Sequence, residues 1–520
     1  MSIRAIAIAA PEHFSGKKSS TAINSSDPVS LFNALRTSAA AAEEGKGAWG
    51  NSNWASGPLK RRQSCLLMYS LDDVATLDTL LALEDPNLVL IGAMSICMRG
   101  ALECAEHIRA RMGARCIIVL GGRHVSEAMY KNKNNNVLHH KSSPLQLVSA
   151  GEISDVFDLV VGGEAEEVIF KLGESLARKK FEGAHDRHRL LSGIADASGN
   201  WVAGIISGHE YILTLSSKQG RIDKSTLPSI TKLFGTSSKF SVFEGLHTAH
   251  VFSDTGPGCV FDCDFCSERL SVTGQPENIM GAPFSLYRQL SEAVNSVFLE
   301  YGEIRASAFI EDSTLLLGKK SNISTFCSLM ERNSLPVTFG AQLTVDQILS
   351  RPKELMRLSS VGLSYVFLGV ETLEPFAIGG MNKDVSRKLS SWASRIESAC
   401  ELLNACHLKV GFALLFGLGE THSSRLRLID LIEKVNRNLD MPIVTSMNWA
   451  VQHPLKGFDN GANYTYLEWP VLGKHMLELF HFFGEASTEY NVPKVAKPKY
   501  QEVLELLHQS RTLPSTKKIQ

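Results

Sequence analysis

Thr255-Gly-Pro-Gly-Cys-Val-Phe-Asp-Cys-Asp-Phe-Cys-Ser267 carries three cysteines, Cys259, Cys263 and Cys266, in a C-x3-C-x2-C spacing. Three sulfurs on one short loop can converge on a common point, so the run reads as a metal, cluster or redox site. A four-iron cluster wants one ligand per iron. Three thiolates therefore leave one iron open to a group that is not protein, which points to catalysis rather than structure. A structural zinc site is the alternative, but it normally takes four protein ligands. His247 and His250, just upstream, are the candidates for a fourth.

Downstream of this loop, from about residue 245 to 455, short apolar runs alternate with longer amphipathic stretches. Strands are predicted at 307–311, 337–342, 365–370, 410–416 and 443–447, with helices at 285–300, 321–332 and 388–406. The cysteine loop would follow a first strand at 250–253. This alternation suits an open, partial (β/α)6 barrel, whose chemistry gathers at the carboxyl ends of the strands. Those ends carry polar atoms: Glu311 and Asp312, then Gln342, then Glu371, then the glycine-spaced run Gly411 to Gly417 and on to Glu420.

Upstream, strands are predicted at 5–10, 88–92, 116–122 and 159–163, with helices at 100–112 and 166–178. Such βαβ repetition implies a Rossmann-like, doubly wound parallel sheet that takes ligands at its carboxyl edge. The strand ends are small: Gly92 and Ser95, then Gly121, Gly122 and His124, then Gly162, Gly163 and Glu164. Glycine there lets backbone approach a bulky ligand. His124 would touch such a ligand or satisfy local backbone groups. Cys97 and Cys104, two helical turns apart, read as core residues.

The chain is therefore divided into a Rossmann-like domain at 1–184, a bridging segment at 185–244, the partial barrel at 245–458 and a small helical appendage at 459–520. With 520 residues, 44% hydrophobic and 21% charged, it has the composition of an ordinary soluble globular protein. A net charge of −1 gives no global field toward nucleic acid or an anionic membrane, and no apolar run reaches the length of a membrane span. Ten cysteines without framework spacing argue for a reducing cytoplasm rather than a disulfide scaffold. The first ten residues alternate like a strand and are too short for a secretory signal. Residues 37–58 and 131–143 read as surface loops, the second containing His139 and His140.

The cysteine spacing, with Phe265 before the last cysteine, resembles the radical S-adenosylmethionine (SAM) enzymes. The order GG-x-H, then GGE-x-E, then the cysteines resembles the cobalamin-binding members of that family, over roughly residues 80 to 430. The resemblance implies a 4Fe-4S cluster on Cys259, Cys263 and Cys266, and SAM held by the open iron and cleaved to a 5′-deoxyadenosyl radical. It implies that Glu311, Gln342, Glu371 and the Gly411–Gly417 strand hold SAM, beside Phe265. It further implies a cobalamin bordered by Ser95, Gly121, Gly122, His124, Gly162, Gly163 and Glu164, lying between the first domain and the barrel. Met381-Asn-Lys383 also resembles a family segment. The D-x-H-x-x-G signature of a histidine lower ligand is missing: Pro11-Glu-His-Phe-Ser-Gly16 stands after the first strand. That departure fits cobalamin bound without a protein ligand, and equally a domain that has lost it. The implied activity is C-methylation of an unactivated carbon on a small metabolite, with flavodoxin or ferredoxin as reductant. The alternatives are a radical cyclase or rearrangement enzyme and a non-catalytic cobalamin or iron–sulfur sensor. A nucleic-acid substrate fits the charge poorly.

Overall fold

The computed structural model describes residues 3–10, 37, 74–131, 135–178, 186–217, 222–236, 238–253, 280–312, 314–315, 319–374, 391–440, 442–449 and 499–514, and in the cysteine loop 259–261, 263, 265, 266, 268 and 270. The chain divides into two compact units at Phe234/Gly235.

The first unit runs β1 (Ala5–Ala9), α1 (Val74–Glu84), β2 (Leu88–Gly92), α2 (Met98–Met112), β3 (Ile117–Gly121), α3 (Arg123–Ala128), β4 (Met129–Lys131), β5 (Val137–His139), α4 (Pro144–Ser149), β6 (Leu159–Gly163), α5 (Glu166–Arg178), α6 (Arg187–Ile194), β7 (Trp201–Ser207), β8 (Glu210–Leu215) and α7 (Ile230–Phe234). Its main sheet has the order β1-β2-β3-β6-β7-β8. The first four strands are parallel; β7 and β8 add antiparallel. Successive side chains point to opposite faces, so Ile6, Val89, Ile118 and Val160 enter one core with Leu77 and Met98 of the helices. Their neighbours Leu88, Ile117 and Leu159 are buried too. Burial on both faces is why these strands read as unbroken apolar runs.

Two expectations differ from what is found. Residues 187–215, read as a bridge, belong to the first unit: α6 packs there and β7–β8 extend the sheet. Arg187 of α6 is buried and pairs with Asp155 at 2.8 Å and Asp158 at 3.4 Å, while Arg109 reaches Asp158 at 2.6 Å. The missed signal was the apolar run Trp201–Ile206 followed by the two-residue turn Gly208-His209 and the strand-like Glu210–Leu215. Nor are His139 and His140 a solvated pair. β4 and β5 form a hairpin, His139 sits edge-on to Tyr211 at 4.7 Å, and His140 is buried. Burial lowers the pKa of each to about 4. Cys97 and Cys104 are core residues, and burial pushes the Cys104 thiol up to about 12.

The second unit runs β9 (Thr248–Val251), α8 (Ala282–Tyr301), β10 (Ala306–Ile310), α9 (Lys320–Asn333), β11 (Val337–Leu343), α10 (Val345–Ser350), α11 (Pro352–Ser360), β12 (Leu363–Glu371), α12 (Trp392–Ala405), β13 (Lys409–Phe416), α13 (His422–Asn436), β14 (Val444–Trp449) and α14 (Tyr500–Ser510). The six strands are parallel and lie in sequential order, with β9 and β14 as the two edges. One face packs on the helices through Val251, Ile310, Phe339, Leu368 and Phe412. The other face carries His250, Phe309, Gly340 and Tyr365 in one register row, then Gln342, Phe367 and Gly411 in the next.

Residues 238–244, also read as part of the bridge, pack on the amino-terminal end of this second face. Phe240 and Phe243 stack at 6.3 Å and pack on Phe309 and Tyr365 at 6.1 and 6.2 Å. At the carboxyl terminus, Val503, Leu506 and Leu513 enter the second core, and Pro514 O accepts from Thr445 N–H on edge strand β14 at 2.9 Å. The segments at 38–58, 381–383 and 459–498 lie outside the described residues.

Candidate active site at the carboxyl ends of the second sheet

The cysteine loop leaves β9 through a fixed exit. Gln289 of α8 brackets Phe252: its amide donates to Phe252 O at 2.7 Å and accepts from Phe252 N–H at 3.1 Å. Ser253 N–H donates to the buried Asp312 carboxylate at 2.5 Å. Neither Gln289 nor Asp312 was found as a loop anchor from sequence. Beyond residues 254–258, which are not among those described, Cys266 N–H closes a turn onto Cys263 O at 3.0 Å, and Leu270 N–H reaches Phe261 O at 2.8 Å. None of the three cysteines is in a disulfide among the described residues; Cys263 is buried, Cys259 and Cys266 half-buried. Glu268 N–H donates to Cys266 Sγ at 3.4 Å. Phe265 packs against the core. Among the described residues no three ligating side chains are gathered around one point, so convergence of the thiols rests on their spacing.

The histidines are committed elsewhere. His250 bonds Glu311 Oε1 through Nδ1 at 2.5 Å and Ser238 Oγ through Nε2 at 3.2 Å. His247 stacks on Tyr301 at 3.7 Å and bonds Glu303 at 2.9 Å, before β9 rather than after it. With both ring nitrogens of His250 engaged, a histidine-completed zinc site loses its nearest fourth ligand.

Glu311 and Gln342 follow the strand parity of Phe309 and Phe367 and so share one face, while a register shift precedes Glu371. Glu311 follows β10, its N–H extending the ladder to Val251 O at 2.9 Å. Gln342 is half-buried on β11, in register with Phe367 and so with Gly411. Glu371 is buried at the end of β12, where the register shifts and its φ is 53°. A non-glycine residue held in the left-handed region is strained, a state that persists where the surroundings over-determine it. Gly411 is explained by packing within the fold: a Cβ there would lie 2.0 Å from Tyr365 Oη. Gly417, with φ of 87°, opens a loop locked from below. The buried Glu420 carboxylate accepts from Gly417 N–H and Leu418 N–H, both at 2.8 Å, and pairs with the buried Arg425 at 2.5 Å.

In the first unit the small strand ends are likewise demanded by the chain itself. A Cβ on Gly122 would sit 2.4 Å from Ala93 N, on Gly162 2.6 Å from Met129 O, and on Gly163 2.2 Å from Asn200 O. His124 is fully buried between Ser95 Oγ at 2.9 Å and Ser142 O at 3.2 Å. A carbonyl only accepts, so Nε2 carries the hydrogen and Nδ1 accepts from the serine. Glu164 accepts from Asn200 N–H at 2.9 Å and Ile222 N–H at 3.3 Å, tying the loops together. Gly122 and Gly163 are nonetheless exposed, and Gly92 and Gly121 partly so. Among the described residues these strand ends therefore present backbone rather than side chains.

The donor set thus fits the groups the sequence suggests: three cysteines outside any disulfide on one loop for an iron–sulfur cluster, and carboxylate and amide oxygens at the strand ends for a cationic amino acid. No protein-family model and no curated protein sequence matches the chain. Among solved structures it is similar to the radical S-adenosylmethionine methyltransferase TsrM from Kitasatospora setae with cobalamin and a 4Fe-4S cluster bound, with a TM-score of 0.51 at 13% identity, over 88% of this chain and 74% of that one. It is also similar to the cobalamin-dependent S-adenosylmethionine radical enzyme OxsB with aqua-cobalamin and S-adenosylmethionine bound, with a TM-score of 0.51 at 12% identity, over 98% of this chain and 62% of that one. The apo form of OxsB gives 0.52 at 12%, over 98% and 61%. At these identities the likeness is one of architecture: the chain has the fold of the cobalamin-dependent radical SAM enzymes.

Proposed function

We propose that the protein is a cobalamin-dependent radical SAM enzyme that methylates an unactivated carbon of a small metabolite. The observation that carries this reading is the three-thiol loop leaving the first strand of an open (β/α)6 sheet, beside the strand-end residues Glu311 and Gln342. When bound, a reduced cluster and SAM supply a hydrogen-abstracting radical, and cobalamin supplies a methyl group to the carbon so activated.

Within that reading the chain's own residues bind, orient and exclude water. Cys259, Cys263 and Cys266 hold the cluster as thiolates, and Gln289 and Asp312 fix the backbone from which their loop departs. Glu311 accepts from the SAM ammonium, Gln342 reaches the ribose or the methionine portion, and Glu371 contacts the ribose or the amino group. The Gly417–Gly419 loop, held by Glu420, borders the adenine. Ser95, Gly121, Gly122, Gly162 and Gly163 border cobalamin; His124 and Glu164 support that edge from within. A flavodoxin or ferredoxin delivers the electron, in the reducing cytoplasm that the cysteine usage favours. No helix among the described residues is long and apolar enough to cross a membrane.

The test is purification without oxygen, cluster reconstitution, and assay of cobalamin content and 5′-deoxyadenosine after adding SAM and reductant. Stoichiometric cobalamin with deoxyadenosine supports the two-cofactor enzyme, and a methyl mass gain on a substrate completes it. Deoxyadenosine with cobalamin but a product of unchanged carbon count means radical rearrangement instead. Deoxyadenosine without cobalamin sinks methyl transfer from cobalamin. An intact cluster with no SAM cleavage means a sensor.

A further inference from the structure

Glu311 is not a lone strand-end carboxylate. Its Oε1 takes the Nδ1 hydrogen of His250 at 2.5 Å, and His250 Nε2 meets Ser238 Oγ at 3.2 Å. A carboxylate only accepts, so Nδ1 must donate; in the neutral ring Nε2 then accepts the Ser238 hydroxyl hydrogen. The imidazole is confined on every side the described residues reach. Phe240 meets it edge-on at 5.4 Å, and Ser238 is itself pinned by its carbonyl, which accepts from Thr248 N–H at 2.7 Å. The His250 and Glu311 side chains are only 4% and 9% exposed. Glu311 Oε2 accepts no hydrogen bond from the described residues.

A buried polar pair is a weak device for stability, since a well-packed apolar pair serves a fold as well or better. Its effect here is geometric. One oxygen is held by a confined ring and the other is left as an acceptor, beside the anchored exit of the cysteine loop.

We propose that His250 is a positioning residue for SAM: it fixes Glu311 in the rotamer in which Oε2 accepts from the substrate ammonium, with Ser238 holding the ring. This inference rests on the function proposed above. A flexible glutamate would have to be ordered at each binding event, and a preordered one does not.

The test is the SAM dissociation constant, measured by equilibrium dialysis on anaerobically reconstituted full-length protein, with iron content and thermal melting as controls. His250→Asn keeps a donor where Nδ1 stood and is expected to bind within about threefold of wild type. His250→Leu removes the donor and is expected to bind roughly tenfold more weakly. In a Glu311→Ala background, His250→Leu is expected to add no further loss, because its effect runs through that carboxylate. If the Leu variant melts early, His250→Gln takes its place, since its amide reaches the Nε2 position and misses Nδ1. Equal weakening by Asn and by Leu or Gln overturns the proposal, as does an undiminished Leu effect without Glu311. Wild-type affinity in His250→Leu at full iron content also overturns it. No SAM binding by fully loaded wild type overturns the functional reading itself, and this inference with it.

Discussion

Replacing Arg425 with methionine is expected to destabilise the second unit by about 3–5 kcal/mol. Arg425 and Glu420 are 2% and 3% exposed. The guanidinium donates through Nε to Glu420 Oε1 at 2.5 Å and through Nη2 to Glu420 O at 2.8 Å, and Nη1 lies 3.6 Å from Glu502 of α14. Methionine refills most of the volume, so the lost energy is chiefly that of a carboxylate left in the interior without its cation. At about 2–4 °C per kcal/mol for a unit of this size, melting should fall by roughly 10 °C. The local readout is hydrogen exchange at Gly417 and Leu418, whose amides are tied to Glu420. Their protection should drop by about a hundredfold if the loop opens with a 3 kcal/mol loss. Adding Glu420→Gln should restore about 1–2 kcal/mol, because the amide oxygen still accepts from the loop and no charge stays buried. The reasoning is refuted if Arg425→Met melts within about 2 °C of wild type, or if both amides keep their protection.

Three further outcomes follow from other sites. Gly122→Ala should cost more than about 2 kcal/mol in urea unfolding, since φ is 97° and the new Cβ would meet Ala93 N at 2.4 Å. Gly302→Ala, in the left-handed helical region with φ of 69° and nothing within 4 Å, should cost only about 1 kcal/mol. The first unit should lose stability as pH falls from the ordinary histidine value of 6.5 toward about 4, because His139 and His140 are buried neutral. Unfolding lets both take up protons in that window, so stability rises with pH across it and levels off above 6.5. A His139→Gln/His140→Gln variant should show a shallower slope in pH-dependent melts, and an unchanged slope would rule the pair out as its source. Asp312→Ala should lower reconstituted iron content by freeing Ser253 at the loop exit, and Asp312→Asn should largely restore it; full iron in the alanine variant would contradict the anchoring role.

The second sheet was legible because a parallel strand covered on its faces is written as a local apolar run. The predicted 307–311 and 410–416 became Ala306–Ile310 and Lys409–Phe416. The cysteine loop was legible for the same reason, since its spacing is local. The contacts that hold it are not. Gln289 lies 37 residues from Phe252, Asp312 59 from Ser253 and Glu311 61 from His250, and nothing periodic in a sequence links such pairs. The antiparallel β7–β8 pair was lost because its apolar run sits inside a stretch read as a connector. Glycine was the opposite case, where a true signal drew an incomplete cause. Gly122, Gly162 and Gly163 do mark close backbone approach, but the approaching backbone is the protein's own.

Why chemistry should gather at one end of the second sheet can be argued from the side chains alone. Toward the amino-terminal ends, Phe240, Phe243, Phe309 and Tyr365 fill the face, and Tyr365 even occupies the space where a Gly411 side chain would stand. Among the described residues that end of the face is lined chiefly by aromatic rings. One row further along the strands the face changes character. Gln342 is half-buried opposite Phe367, Glu311 hangs from His250, and Glu371 ends its strand at a positive φ. Burying such groups carries a desolvation cost. A cationic ligand arriving from the cysteine-loop side would offset that cost, and the amino-terminal side offers no equivalent. The polarity of the face therefore selects the carboxyl end, from which the cysteine loop departs.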